Sequence, residues 1–90
     1  MKIEVLNKPS PEKLTQLNVS NWPIWEKEAS SFAWTYDLQE VCYILQGKVT
    51  VTPQDGQPAT IQEGDLVTFP KGMICQWDIS KDIRKHYQFF

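Results

Sequence analysis

The chain has 90 residues, a formal net charge of −2 and two cysteines. So small a charge, on scattered basic residues, does not suit a nucleic-acid partner. Cys42 and Cys75 have neither CxxC spacing nor the density of a disulfide scaffold, and no apolar stretch approaches the roughly 20 residues that cross a membrane. The N-terminus MKIEVLNKPSPEK has no apolar signal region, so a soluble, cytoplasmic protein with reduced thiols is expected. A chain this short buries only about 60–65% of its unfolded surface. Four Trp, four Phe and three Tyr compensate, because aromatics bury much area per residue.

In chain order, Lys2–Leu6 alternates as a short strand that Pro9 ends. Ser10-Pro11-Glu12 is a helix start, with Ser as N-cap, Pro in the first turn and an acid behind it. The helix is expected over Pro11–Leu17, stopped at Asn18. An aromatic strand follows from Trp22 to Glu28, then a strand over Phe32–Tyr36. The stretch Trp34–Val51 organises the chain. Val41, Tyr43 and Leu45 alternate with Glu40, Cys42 and Ile44, and the β-branched run Val49–Thr52 resumes the alternation beyond Gly47. Gly47 is expected to turn a hairpin between them. Further strands are expected at Ala59–Gln62, Leu66–Phe69, Cys75–Ile79 and Ile83–Phe89. The turns between them carry Asp55-Gly56, Glu63-Gly64-Asp65, Pro70-Lys71-Gly72 and Ser80-Lys81-Asp82. About nine short strands with one short helix predict an all-β sandwich or barrel in one domain.

Two glycine-anchored motifs carry a resemblance. Glu40, six residues and Gly47 match the end of the first cupin motif; Gly64, five residues, Pro70, one residue and Gly72 match the start of the second, GDLVTFPKG. The chain resembles a cupin, a small jelly-roll barrel. The pattern W-x-Y-D-x-x-E-x-C-Y-I-L-x-G-K-V, then GDLVTFPKG-x-x-C-x-W and a terminal R-K-H-Y, is similar to single-domain proteins of the ureidoglycine-aminohydrolase-type cupin family. That resemblance implies a barrel open at one end, with functional residues inside near its mouth. It puts the usual metal-ligand positions on Trp34, Tyr36, Glu40 and Cys75. Typical cupins have two His, a Glu and a His there, and the aminohydrolases a Glu/His set with manganese. This sequence keeps Glu40 and a thiol, so no metal and no cofactor is expected.

If that register holds, Glu40, Cys75, Tyr36, Trp34 and Trp77 converge inside the barrel. A carboxylate buried among aromatic rings should have a raised pKa, which suits general acid or base work. The plain alternative is a Glu40 hydrogen-bonded to Tyr36 or paired with Lys85 or Arg84. Cys75 is read as a nucleophile or ligand on one side, and as an inert buried thiol on the other. The single histidine, His86, has the opposite strand parity to Lys85 and Tyr87, and the resemblance turns Lys85 and Tyr87 inward. Phe69 and Trp25 are expected in the core, with Trp34 and Trp77 walling a pocket.

The expected function is small-molecule binding. By the resemblance it extends to an enzyme acting on a small polar nitrogenous metabolite. Glu40, Tyr36 and Cys75 are the candidate catalytic residues, and Trp34, Trp77, Lys85 and Tyr87 the candidate substrate contacts. Lys85 would hold an anionic group. A non-catalytic sensor and a structural subunit are the alternatives. The apolar outer face at Val41, Tyr43 and Leu45 is expected to be covered in a homodimer, with Lys2–Leu6 free to extend a partner's sheet.

Overall fold

The computed structural model describes residues 1–90. Seven strands and one helix follow in the order β1 (Glu4–Asn7), α1 (Pro11–Gln16), a 3-10 turn (Val19–Asn21), β2 (Ile24–Lys27), β3 (Ser31–Thr35), β4 (Glu40–Pro53), β5 (Ala59–Gln62), β6 (Asp65–Phe69) and β7 (Ile74–Phe89). The all-β expectation holds, but nine short strands become seven because two are long. β4 runs through Gly47, and β7 runs through Ser80-Lys81-Asp82.

These two strands pair antiparallel from Glu40↔Phe89 to Pro53↔Cys75 and form one long ribbon. The ribbon is interrupted only between Ile44 and Val49, where its register shifts three times. Such bulges bend a strand sharply. Inward parity changes there too: Glu40, Cys42 and Ile44 are buried before the bend, Val49 and Val51 after it. Gly47 is therefore the corner of a folded ribbon and not a hairpin turn. Its φ is +103°, and a Cβ there would collide with the Asp82 carbonyl on the facing strand. The glycine answers a close backbone approach as well as a conformation closed to other residues.

Bending the ribbon makes two sheets from one. The first half of β4 and the last half of β7 are flanked by β6, β1 and β2; the other halves are flanked by β5 and β3. The inner faces of both sheets share one core, which includes Cys42, Ile44, Val49, Val51, Ile61, Val67, Phe69, Ile79 and Ile83. The result is a jelly-roll barrel closed at the bend and open where the ribbon's two ends meet.

The N-terminal segment follows its local signals. The Ser10 hydroxyl accepts a hydrogen bond from the Lys13 amide at 3.2 Å, Pro11 opens the helix, and Asn18 adopts the left-handed conformation that stops it. Leu14, Leu17, Val19 and Trp22 pack with Leu66, Val41 and Tyr43. Part of the outer face assigned to a partner chain is thus covered by the chain itself. β1 likewise pairs with the chain's own β6.

Candidate functional site

The cavity at the open end measures about 220 Å³. Its walls are Trp25 from β2, Phe32 and Trp34 from β3, and Trp77, Tyr87 and Phe89 from β7; Tyr36, Glu40 and Lys85 complete the lining. One strand supplies both Trp77 and Lys85, which belong to opposite sheets, because β7 continues through the bend. Trp77 meets Trp25 across the barrel edge to face, with centroids 5.9 Å apart, and stacks beside Phe32 at the same spacing.

Glu40 and Lys85 form the polar floor. Glu40 opens β4 between Phe69 and Phe89; Lys85 lies beside Ile44 on one side and Trp25 on the other. The Lys85 ammonium donates to Glu40 Oε2 at 2.6 Å, and the residues are only 4% and 5% exposed. The ammonium also stands 4.9 Å from the ring centroids of both Trp25 and Trp77. A charge-assisted bond and two cation–π contacts offset the desolvation of burying the pair. The carboxylate that the sequence suggests is desolvated among aromatics is therefore paired, through the Lys85 alternative.

Tyr36 is fixed from both sides of its peptide. Its N–H donates to the Met73 carbonyl at 2.9 Å, and its carbonyl accepts from Gly72 N–H at 2.7 Å. Its ring stacks on Phe69 at 4.8 Å. Burial first, then the negative charge of Glu40, raises the phenol's pKa and keeps it protonated. Tyr36 Oη and Trp77 Nε1 are buried without hydrogen-bond partners. The indole N–H lies close enough to lower the pKa of the Tyr36 hydroxyl and the Cys75 thiol, but makes no hydrogen bond of proper geometry with either. Two sealed donors without acceptors cost free energy, about 1–3 kcal/mol each, that an all-apolar floor would not.

The remaining sequence-predicted residues sit as follows. Tyr87 lines the cavity with Lys85, while His86 points elsewhere, its Nδ1 2.9 Å from the Trp22 carbonyl. Trp34 stands at the mouth, 49% exposed. Cys75 is brought beside Trp34, its thiol donating to the Trp34 carbonyl at 3.6 Å, but it does not line the cavity. Burial pushes the Cys75 thiol up, and Cys42 is pushed up to about 12 by complete burial, so neither is a thiolate near neutral pH. Trp25, expected in the core, is a half-buried cavity wall that holds the ammonium. Phe32 and Phe89 join it unanticipated. Their period-two placement puts them on inward faces, but only the register shows that those faces meet at the mouth.

The usual ligand positions do not fit a metal ion here. Trp34 offers an indole, Tyr36 and Cys75 offer a protonated phenol and thiol, and the one carboxylate is engaged by an ammonium that would repel a second cation. No three His, Cys, Asp or Glu side chains cluster to hold an ion.

A bent two-sheet barrel with an inward-facing site at its open end is the architecture of a cupin. Residues 14–87 match the EutQ-like cupin domain, and the chain belongs to that family. It is similar over 99% of its length, and over the whole of the other chain, to a DUF861 family protein from Thermotoga maritima, with 55% identity and a TM-score of 0.95. The Clostridium difficile EutQ protein is 26% identical with a TM-score of 0.64; the match covers 71% of this chain and 50% of that one. A putative ethanolamine utilization protein Q from Salmonella typhimurium shares the fold at 23% identity and a TM-score of 0.64, over 71% of this chain and 51% of that one. The chain thus spans about half the length of these EutQ proteins. No curated protein matches the sequence. No helix is long and apolar enough to cross a membrane.

Proposed function

We propose that this chain is a small-molecule-binding cupin whose ligand occupies the aromatic cavity and meets Glu40 and Lys85 at its floor. The buried ion pair carries the reading. A pair like this is often no more stable than apolar residues of the same volume, so its presence at the floor of a cavity favours a role in recognition. Trp77 and Tyr87 would wall the ligand, and Trp34 would guard the mouth.

The same arrangement supports metal-independent proton transfer. Glu40 would act as general base and Lys85 would stabilise negative charge developing on the substrate. Tyr36, its hydroxyl sealed from the cavity and its ring stacked on Phe69, would position the floor without touching the ligand, and Cys75 would support the Trp34 backbone at the mouth. An aminohydrolase-type reaction on a small nitrogenous substrate needs these two leading roles, and the motif resemblance favours it. The test is Glu40→Gln, assayed for ammonia release and for binding on a panel of small amides and ureides. Turnover that stays lost when the variant is saturated with substrate, beyond any weakening of binding, supports the enzyme. Binding by the wild type without ammonia release from any compound favours the non-catalytic sensor.

A homodimer remains part of the proposal, supported by exposed apolar residues Trp34, Leu38, Ile74 and Phe89. Light scattering at twice the monomer mass supports it, and the monomer mass overturns it.

A further inference from the structure

Glu40 spends one carboxylate oxygen on Lys85 and keeps the other. Oε2 accepts the ammonium's bond. Oε1 has no partner in the protein, yet it is not among the sealed polar atoms, so it opens to the cavity that Glu40 lines. Lys85 lines the same cavity, and its ammonium, which makes one hydrogen bond to a protein oxygen and otherwise faces the Trp25 and Trp77 rings, has N–H capacity that a ligand oxygen seated there would take up. The floor therefore presents an acceptor and a donor side by side, with no net charge, below aromatic walls.

Charge and shape then select the complement. An anion would add a negative charge beside Glu40, and a cation a positive charge beside Lys85; each leaves a charge unbalanced where water is scarce. A neutral ligand keeps the pair balanced. To satisfy both atoms it needs an N–H and a C=O on the same edge. An open-chain secondary trans amide holds these on opposite sides; a primary amide and a ring amide both present them on one edge, and the aromatic walls favour the ring. A dry cavity of about 150 Å³ accommodates benzene. The 220 Å³ here suits one six-membered ring with its polar substituents.

Resting on the reading of this cavity as a binding site, the geometry points to a neutral cyclic amide as its ligand. The ring N–H donates to Glu40 Oε1, the ring carbonyl accepts from Lys85 Nζ, and the flat ring lies against Trp77 and Trp25.

The experiment titrates the intact protein with 2-pyridone, N-methyl-2-pyridone, benzoate and benzylamine, following the indole N–H resonances by NMR. The expected result is saturable binding of 2-pyridone that shifts the Trp77 and Trp25 signals. N-methyl-2-pyridone, which lacks the N–H, binds at least 10-fold more weakly. Glu40→Gln, checked for folding by its thermal melt, weakens 2-pyridone by a similar factor and leaves N-methyl-2-pyridone unchanged. Equal binding of the two pyridones overturns the edge-on recognition. Tighter binding of benzoate or benzylamine overturns the neutral-amide class while leaving the cavity a binding site. Absence of any shift with all four overturns both this inference and the binding-site reading beneath it.

Discussion

The two ends of the barrel are made from the same pair of strands and do opposite things. At the bend, β4 and β7 turn Ile44, Val49, Ile79 and Ile83 inward, all 5% exposed or less, and the interior is packed. At the open end the same strands turn in Glu40, Trp77, Lys85 and Tyr87, and the interior holds a cavity, an ion pair and two unpartnered donors. The closed end is built for stability. The open end gives up stability, and a fold departs from its own packing rules chiefly where it has a function to serve.

The harshest way to break the contrast is at the corner that creates it. Gly47→Ala combines an unfavourable φ with a collision against the Asp82 carbonyl, neither of which a side chain can relieve. The expected cost exceeds about 4 kcal/mol, the range reserved for named backbone or core failures. Against a total stability of about 5–15 kcal/mol, this appears as loss of soluble, cooperatively melting protein. A melt within a few degrees of wild type would mean that the bend does not depend on the glycine.

The ion pair comes next. Lys85→Met leaves Glu40 buried without its counter-ion and is expected to cost about 3–5 kcal/mol. At about 4–8 °C per kcal/mol, the melting temperature falls by roughly 12 °C or more. The double variant Glu40→Leu/Lys85→Met removes the stranded charge and is expected to melt near or above wild type while binding no ligand. A double variant as unstable as the single one would show that the pair holds the open end together and is not retained for recognition.

The thiols test the comparison through pH. Burial raises the Cys42 pKa from 9.0 to about 12, and the Cys75 and Tyr36 pKa values move the same way. Between the unfolded and folded values the unfolded chain binds fewer protons, so stability falls as pH rises. The contribution is intact below pH 9 and is lost on the way to pH 12, with about 1 kcal/mol gone from Cys42 by pH 10. Urea midpoints from pH 7 to 10 should show this decline, and Cys42→Ala should flatten it, on top of a pH-independent packing loss. In the closed end, Ile61→Val should cost about 0.5–1.5 kcal/mol at every pH in the series and leave binding unchanged.

The two ends were also unequally legible. The capped helix and the turns at Gly64 and Gly72 are local signals, and each is where its residues put it; the alternation over Ile83–Phe89 leaves open which face turns inward, and the motif resemblance chooses Lys85 and Tyr87. Gly47 misleads because a glycine between two alternating runs reads equally as a hairpin turn and as a bulge. What decides is the Asp82 carbonyl, which is distant in sequence. Ser80-Lys81-Asp82 misleads in the same way: three polar residues look like a turn, yet they are the solvent side of a bent strand. Trp25 looks like core because its partner is an ammonium from another strand. The Glu40–Lys85 pair could be entertained from the sequence only as one option among several, since it depends on the register that brings β2, β4 and β7 together.

The smallest effect on stability is expected at the mouth, and there the comparison is sharpest. Trp34 is the largest exposed side chain on the cavity wall, and its indole is half in solvent. Its backbone is held by β3–β7 pairing with Cys75, which truncation of the side chain does not touch. Trp34→Ala should therefore change the unfolding free energy by no more than about 0.5 kcal/mol, as for a surface site. Binding should respond differently, because removing the ring takes away apolar surface that a seated ligand would cover. At about 25 cal/mol for each Å² no longer covered, the loss of 50–60 Å² of contact is worth roughly tenfold in affinity. A variant that melts like wild type and binds about tenfold more weakly separates the mouth from the core. One that loses stability and keeps its affinity places Trp34 with the packed end and leaves the cavity without its outer wall.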